Sequence, residues 1–462
     1  MFSVLVILVF TKALSHPLGD LDELWNYNLC RGVSMGYVPY RDFSMELVPL
    51  YTVLFSIPLR IYRSMLVYRL TTSVLLAAES FMIYKIAVKM INVLSGALIS
   101  LVFVFMIDIA TYNGLFFLCA LIGFCLLYGE VSVRNSVGVG CISAISIFCR
   151  QTSGFFLFVA IVMLFIFDRK LRKNLIHFVC GSMTVFFMFL LYFVLTGSFR
   201  QFWNCCLFSL ITSDAVNTAV GMDALPVLIF LMLCMILDFV LWKRRKDINY
   251  IRHLVIGIVI ASISVPIVDN MHLYYSECWF LIPVILWCKD RFGLRVNPVI
   301  MKGIVIAATI VNLLVFSLGL TGTVMDDRYR ELRFIPMADA FLDGYSEIND
   351  INLYYEDQGY DVVVLSSGAC LFSIMNEEFD PGYDLFLTGN FGTADPIERI
   401  EDTTGADKVM ILMPDDYQEE NWQNPAGVAD YVMNNFTPVA RYGYFVWYCC
   451  SASDTDLSLS TP

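Results

Sequence analysis

Residues 20–43 have the sequence DLDELWNYNLCRGVSMGYVPYRDF and follow directly on a short apolar segment. The stretch contains four carboxylates, Asp20, Asp22, Glu23 and Asp42, in a chain that is 58% hydrophobic and only 16% charged. Soluble domains have closer to a quarter charged residues, so this composition predicts a polytopic membrane protein. A cluster of carboxylates in the first loop of such a protein requires an explanation.

The two parts of the chain differ in charge. From residue 321 onward there are 26 acidic and 6 basic residues, whereas the first 320 residues contain 16 acidic and 24 basic ones. This asymmetry predicts two domains in different compartments: a membrane domain over residues 1–320 and a soluble, acidic domain over 321–450. Residues 451–462 are predicted to be a disordered tail. The overall acidity argues against a nucleic-acid partner.

The topology follows from the basic loops. Twelve apolar segments precede residue 321, and three basic loops separate the later ones: 168–173, 243–252 and 289–295. The positive-inside rule places these loops in the cytoplasm. If every apolar segment crossed the membrane, the carboxylate loop would lie on the same side. The segment 47–62 has only 16 residues and contains Pro49 and Pro58. We therefore predict that it lies bent at the membrane surface.

This choice predicts a polytopic α-helical protein of the plasma membrane with about eleven spans, a cytoplasmic N-terminus and an external C-terminal domain. Residues 16–63 become one external loop with surface helices, and 197–224 form another, which is either a lid over a site or a second surface helix. An alternative makes 136–149 and 152–167 a hairpin that dips into the membrane. Residues 1–15 lack a basic start, so we predict a span rather than a signal peptide.

The C-terminal part has the pattern of a small α/β domain. Residues 361–367 and 407–413 are apolar runs typical of buried parallel strands. Residues 424–436 have a proline-led start and helical spacing, and the aromatic run 439–448 is predicted to be a strand. No glycine-rich phosphate loop precedes a helix, so nucleotide binding is not predicted.

Several motifs together resemble a known class of membrane enzyme. In chain order they are Asp22-Glu23, GYVPYRDF (36–43), VPLY (48–51), CRQTSGFFL (149–157) and WQNPAGVADYVMNNFTPVARYGYFVWY (422–448). Their order resembles that of the GT-C class of polytopic glycosyltransferases, and in particular the bacterial branch similar to protein mannosyltransferases and aminoarabinose transferases. The resemblance covers most of the chain. It departs from the branch at Glu46 and Val48, which stand where histidine or proline is frequent.

The resemblance implies an integral-membrane enzyme of cell-envelope glycan or glycolipid assembly. Such an enzyme takes a sugar from a polyprenyl-phosphate carrier in the bilayer and passes it, with inversion, to a lipid, polymer or protein acceptor on the outer face. Two other functions use the same kind of lipid. One is a flippase or transporter of polyprenyl-linked glycans, and the other is a glycan polymerase or ligase.

Sugar transfer requires a carboxylate that takes the proton from the acceptor hydroxyl. The resemblance implies that Asp22 is this base, and Asp20 and Glu23 are the alternatives. Without the resemblance, the three carboxylates would be a solvated loop in which Asp20 or Asp22 caps the helix that begins near Leu24.

The departing phosphate requires cations, and we predict that Arg41, Arg69 and Arg150 surround it. Arg69 lies in an apolar segment, where an arginine is costly without a partner or a route to the headgroups. Arg41 could instead form a local ion pair with Asp42, which would stabilise little.

Four further residues are predicted to line the pocket at its outer rim: Asp42, Asp108, Asn113 and His272. Asn113 could instead belong to a tight turn, and His272 to a belt of interfacial aromatic residues. The chain has no CxxC pair and its four histidines are scattered, so no zinc site or other cofactor is predicted. The spacing of the carboxylates does not indicate a divalent metal site either.

Overall fold

The structure is a computed structural model of the chain. It describes residues 2–18, 21–107, 111–208, 224–265, 268, 270–293, 297–319, 322–337, 339–366, 368–379, 400, 409–415 and 427–449.

In the residues that the structure describes, the membrane part is built of helices, as expected where lipid cannot hydrogen-bond the backbone. Its helices are α1 (Phe2–Ser15), α2 (Leu21–Met35), α3 (Leu50–Leu59), α4 (Met65–Met90), α5 (Val93–Met106), α6 (Tyr112–Leu127), α7 (Val133–Cys149), α8 (Gln151–Phe167), α9 (Arg169–Arg172), α10 (Leu175–Thr196), α11 (Phe199–Trp203), α12 (Leu225–Arg245), α13 (Asn249–Ala261), α14 (Asn270–Phe292) and α15 (Pro298–Gly319). A π-helical turn covers Asn204–Phe208, and 3-10 turns cover Ser262–Ser264 and Asp327–Leu332.

Eleven of these helices overlap the eleven predicted spans: α1, α4, α5, α6, α7, α8, α10, α12, α13, α14 and α15. Among the described residues, four helices are long and apolar enough to cross a membrane: α4, α10, α12 and α15. The others are shorter or less apolar, so the total of about eleven spans stays a prediction. A multi-pass membrane protein is nevertheless what this set of apolar helices indicates.

Helix α3 occupies part of the segment that the sequence predicted to lie at the membrane surface. It has ten residues, follows Pro49 and contains Pro58 near its end. Ten helical residues extend over about 15 Å, which is half the thickness of the hydrocarbon core. The helix packs against α2, α4 and α7, and that it lies at the membrane surface stays a prediction.

Close helix packing around α7 positions the end of this helix. A Cβ atom at Gly140 of α7 would overlap the carbonyl of Phe178 in α10, and one at Gly181 of α10 would overlap the carbonyl of Val137. A Cβ atom at Gly154 of α8 would likewise overlap the carbonyl of Ser146 in α7. Small residues allow helix backbones to approach in this way in membranes. A single residue, Arg150, lies between α7 and α8.

The C-terminal domain is a four-stranded sheet with helices on it. Its elements are α16 (Asp339–Asp357), β1 (Asp361–Val364), α17 (Ala369–Met375), β2 (Val409–Pro414), α18 (Val428–Asn435), β3 (Thr437–Tyr442) and β4 (Phe445–Cys449). Among the described strands the order is β1-β2-β4-β3; β1 and β2 pair in parallel, and the other two pairings are antiparallel. Alternate residues of β1 and β2 belong to two different hydrophobic clusters, so the sheet is buried on both faces.

The prediction of one strand over 439–448 is wrong. The segment is a β-hairpin in which β3 and β4 pair antiparallel, with Tyr442 opposite Phe445. Gly443 has a φ of 58° at the turn, a value that glycine adopts without the steric cost of a Cβ atom. The sheet is therefore mixed rather than wholly parallel. The tail, residues 451–462, lies outside the described residues.

Candidate active site

The carboxylates of the first loop lie at the start of α2. Asp22 and Glu23 occupy its first turn, where the helix dipole favours negative charge. Adjacent helix positions point about 100° apart, so the two side chains have different surroundings. Asp22 is partly buried, and its backbone carbonyl accepts a hydrogen bond from Asn26 Nδ2 at 2.7 Å. Asp20, the third candidate base, lies outside the described residues.

Glu23 forms a buried, bidentate ion pair with Arg69 of α4. Arg69 Nε donates to Glu23 Oε1 at 2.6 Å, and Nη2 donates to Oε2 at 2.7 Å. Arg69 Nη1 also donates to the carbonyls of Ala13 and His16. The sequence predicted a lipid phosphate as the partner of Arg69, but in the structure this partner is a carboxylate of the chain. Both Glu23 oxygens accept from Arg69, so Asp22 remains the candidate base.

Arg41 and Asp42 form the local ion pair that the sequence left as an alternative. Arg41 Nε and Nη2 donate to the two Asp42 oxygens at 2.8 and 2.7 Å, and the arginine side chain is 50% exposed. Val38 N also donates to Asp42. These hydrogen bonds from Arg41 and Val38 lower the pKa of Asp42. The pair stabilises one exposed turn, and neither side chain has a contact with Asp22 in the described structure.

Arg150 is a predicted phosphate ligand whose charge interacts with that of the candidate base. It is buried at the joint between α7 and α8, donates to Asn113 Oδ1, and donates to the carbonyls of Ile263 and Val265 at 2.6 and 3.1 Å. Its guanidinium carbon is 5.9 Å from the ring centroid of Tyr112. The predicted residues Asn113 and Arg150 are thus in direct contact.

Glu46 is a site residue that the sequence analysis did not select. It lies in the loop before α3, and its pKa is raised to about 7. Burial is the main cause, the nearby charge of Asp22 adds to the rise, and Arg150 opposes it. Gln151 Nε2 donates to the Glu46 carbonyl at 2.9 Å, which joins this loop to the start of α8. The available signal was the departure at ELVPLY (46–51), which places a lone carboxylate in an apolar stretch.

The start of the predicted lid packs against the same loop. Gln201 of α11 donates to Ser44 Oγ at 3.1 Å. Cys206, in the π-helical turn, contacts the Glu46 carbonyl at 3.5 Å and the Tyr40 hydroxyl at 3.3 Å. Most of the remaining lid segment, residues 209–223, lies outside the described residues.

The two remaining predicted residues are Asp108 and His272. Asp108 lies outside the described residues, and His272 is partly buried in the first turn of α14. Three residues along, Tyr275 is buried and interacts electrostatically with Arg150. Among the described residues, no group of three or more His, Cys, Asp or Glu side chains could hold a metal ion.

The structure therefore brings together two carboxylates and one cation from distant parts of the sequence. Asp22 comes from α2, Glu46 from the loop before α3, and Arg150 from the joint between α7 and α8. Tyr112, at the start of α6, lies next to this group, with its ring centroid 5.9 Å from the Arg150 guanidinium carbon. Such a group can exchange a proton with a hydroxyl and can place positive charge next to a phosphate.

No model of a protein family matches the chain, and no curated protein matches it significantly. Solved structures do match. ArnT from Cupriavidus metallidurans in the apo state is similar over 100% of this chain and 98% of that chain, with a TM-score of 0.60 and 13% sequence identity. ArnT from the same organism bound to undecaprenyl phosphate is similar over 99% and 98%, with a TM-score of 0.58 and 12% identity.

The oligosaccharyltransferase of Archaeoglobus fulgidus in the apo form is also similar, over 89% of this chain and 69% of that chain, with a TM-score of 0.50 and 11% identity. These proteins are GT-C glycosyltransferases. At such identities the likeness shows the fold. The resemblance to the GT-C class is confirmed at the level of the fold.

Proposed function

We propose that the chain is an integral-membrane glycosyltransferase that transfers a sugar from a polyprenyl-phosphate carrier to an acceptor hydroxyl at the outer face of the membrane. The observation that carries the proposal is that Asp22, Glu46 and Arg150, from three distant segments of a GT-C fold, lie within electrostatic range of one another, with Gln151, next to Arg150, bonded to the Glu46 carbonyl. A further support is that the ArnT structure of the same fold contains undecaprenyl phosphate.

Asp22 is assigned the role of general base. Its carboxylate takes the proton of the acceptor hydroxyl while the hydroxyl oxygen attacks the anomeric carbon of the sugar. The bond between this carbon and the carrier phosphate breaks, and the phosphate leaves with the electron pair. One displacement without a covalent intermediate inverts the configuration at the anomeric carbon.

Glu46 is assigned the role of a neighbour that can hold a proton beside Asp22. The pKa of Glu46 is about 7, so near neutral pH a proton resides on Glu46 for much of the time. In this protonated form Glu46 adds no negative charge beside Asp22 and Arg150.

Arg150 is assigned to the carrier phosphate. It is held in place by Asn113 and two backbone carbonyls, and a fixed cation can stabilise the charge on a leaving phosphate without reorganising. Arg69 and Arg41 already have carboxylate partners in the chain, so the proposal does not depend on them. The sugar and the acceptor are left open.

The test compares Asp22→Asn with Asp42→Asn. Both substitutions remove one carboxylate from the same loop, but Asp42 belongs to the exposed pair with Arg41. Each purified protein is assayed with a panel of radiolabelled polyprenyl-phosphate sugars, and carrier binding is measured in parallel.

We expect Asp22→Asn to lower turnover by about 100-fold or more while carrier binding survives, and Asp42→Asn to remain close to the parent protein. Equal losses in the two variants would remove Asp22 from the role of base. If the parent protein transfers no sugar but moves carrier lipid across vesicle membranes, it is a transporter and the proposal is wrong.

A further inference from the structure

Helix α2 is attached to the polypeptide that follows the membrane helices by a second buried ion pair. Arg31 Nε donates to Glu331 Oε2 at 2.6 Å, and Tyr27 Oη donates to the same oxygen at 2.8 Å. The side chains of Arg31 and Glu331 are fully buried. Removal of one partner would leave an uncompensated buried charge, so such a pair fixes the relative position of the elements that carry it.

The same arginine reaches into the C-terminal domain. Arg31 Nη1 donates to the carbonyl of Glu378 at 2.9 Å and to Ser373 Oγ at 3.3 Å. Ser373 Oγ itself donates to the Glu378 carbonyl at 2.7 Å. The C-terminal domain thus contacts α2 about two turns after Asp22, through hydrogen bonds from a charged donor.

Phe379 follows directly and touches both segments that carry the candidate carboxylates. On the α2 side, a Cβ atom at Gly32 would lie 2.7 Å from the Phe379 ring, so the ring rests on the helix backbone. On the loop side, its centroid is 5.0 Å from that of Tyr37 and 5.1 Å from that of Phe43. Phe43 precedes Glu46 by three residues, and Phe379 is 5% exposed.

We propose that Phe379, together with the Arg31 contacts to Glu331 and Glu378, is a positioning element of the active site: it sets the distance between α2 and the loop 36–47, and so between Asp22 and Glu46. We call this set of contacts the clamp. The inference rests on the proposed function for its catalytic meaning, but its geometric content can be measured without any turnover.

The measurable quantity is the titration of Glu46. The charged and titratable groups that face Glu46 are Asp22 of α2, Arg150 between α7 and α8, Tyr112 of α6 and Cys206 of the π-helical turn. The charge of Asp22 is one cause of the raised pKa of Glu46. If the clamp is released and the two carboxylates move apart, this contribution weakens and Glu46 titrates at lower pH.

The experiment uses Phe379→Ala, Phe379→Leu, which retains apolar volume, and Gly32→Ala, which displaces the ring from the other side. The matched control is Phe436→Ala, because Phe436 is a buried aromatic residue in a different cluster of the C-terminal domain. For each protein, thermal unfolding is followed from pH 5 to pH 8 with and without E46Q. The difference between the two curves isolates the titration of Glu46.

We expect the Glu46 titration to move by roughly half a pH unit toward acid in Phe379→Ala and Gly32→Ala. The Glu46 titration should not move in Phe436→Ala. It should move less in Phe379→Leu than in Phe379→Ala. In the double variant of Phe379→Ala and Gly32→Ala, the Glu46 titration should move no further than in either single variant. Both substitutions disturb the same contact, that of the ring with α2. In the transfer assay, kcat should fall about 10- to 100-fold, because the reacting groups are misplaced, with little change in KM for the carrier.

Either of two results would overturn the clamp: an unchanged Glu46 titration in Phe379→Ala and Gly32→Ala, or an equal shift in Phe436→Ala, which would reflect only the stability of the domain. If the titration moves as expected but the parent protein transfers no sugar, the clamp stands and the proposed function fails. The two inferences can therefore be judged separately.

Discussion

Arg69 and Glu23 form a bidentate ion pair that ties the first turn of α2 to α4 in the interior of the protein. The pair lies next to Asp22 in sequence, and through Arg69 it also holds the end of α1. A replacement of both charges by well-packed apolar groups can be neutral, but the loss of one partner leaves a buried charge uncompensated. The pair therefore determines where the candidate base is held.

Replacing Arg69 by methionine should destabilise the protein strongly. Glu23 would keep its buried carboxylate without a partner, at a cost of about 3–5 kcal/mol. Thermal unfolding in detergent measures the effect, and Arg41→Met is the control, since Arg41 belongs to an exposed pair. Arg69→Lys should recover only part of the loss, because an ammonium cannot reproduce the two parallel hydrogen bonds. Similar unfolding temperatures for Arg69→Met and Arg41→Met would contradict this view of the pair.

Glu46 should make stability fall as pH rises. Its folded-state pKa of about 7 exceeds its ordinary value of 4.5. Its contribution is therefore fully present below about pH 4.5 and is lost as pH rises through 7. Relative to Glu46→Gln, the parent should lose up to roughly 3 kcal/mol between pH 5 and pH 8. Thermal unfolding of both proteins across this range checks the sign.

The control for this titration is Asp42→Asn, because the pKa of Asp42 is lowered and its contribution is lost as pH falls. In the transfer assay, ionised Glu46 adds negative charge beside Arg150. The KM for the anionic carrier should therefore rise above pH 7 in the parent and stay flat in Glu46→Gln. If the difference in stability between the parent and Glu46→Gln is constant from pH 5 to pH 8, Glu46 titrates outside this pH range.

Replacing Arg150 by lysine should weaken carrier binding more than any substitution at Arg41. The Arg150 guanidinium donates hydrogen bonds to Asn113 and to two backbone carbonyls. A lysine ammonium cannot form these bonds in the same geometry and also face a phosphate. We expect an increase of at least tenfold in the carrier Kd, or about 1.4 kcal/mol, measured by titration with the carrier lipid. Asn113→Ala is the companion variant, and it should show a smaller increase in Kd because it removes one acceptor and no charge.

Replacing Gly140 by alanine should loosen the crossing of α7 and α10. The added methyl group would overlap the Phe178 carbonyl, and overpacking of this kind costs about 1–3 kcal/mol. Gly123→Ala is the matched control within α6, since its Cβ would be 3.7 Å from the nearest atom, a side-chain carbon of Ile142. Thermal unfolding should separate the two variants, and equal values would show that the helices can move apart without cost.

The sequence predicted the secondary-structure elements better than it predicted which side chains contact one another. The eleven helices and the buried strands β1 and β2 follow from apolar runs, which depend only on local composition. The hairpin of β3 and β4 was missed because VARYGYFVWY is mostly apolar and aromatic, and one glycine at a turn is a weak signal in such a run.

The candidate site was predictable only where it depends on the local sequence. Asp22 and Arg150 came from motifs and Asn113 from its predicted place at the outer rim; in the structure Arg150 bonds Asn113 and interacts electrostatically with Asp22. That Arg69 needs a partner follows from its apolar surroundings, but whether this partner is a lipid phosphate or Glu23, 46 residues away, depends on the packing of α2 on α4. Glu46 was missed although it stands in an apolar stretch, because its raised pKa also depends on Asp22, whose proximity is not visible in the local sequence.

The distance along the chain between Arg31 and Glu331 has a consequence for biosynthesis. The two residues are 300 positions apart, which corresponds to about 15–60 s of translation at roughly 5–20 residues per second. During this interval the ribosome has already made α2, but its buried arginine has no counter-charge. The sheet is completed later still, because β4 pairs with both β2 and β3. Helix α2 thus reaches its final position late in the folding of the nascent protein. The geometry around Asp22 is completed at the same stage.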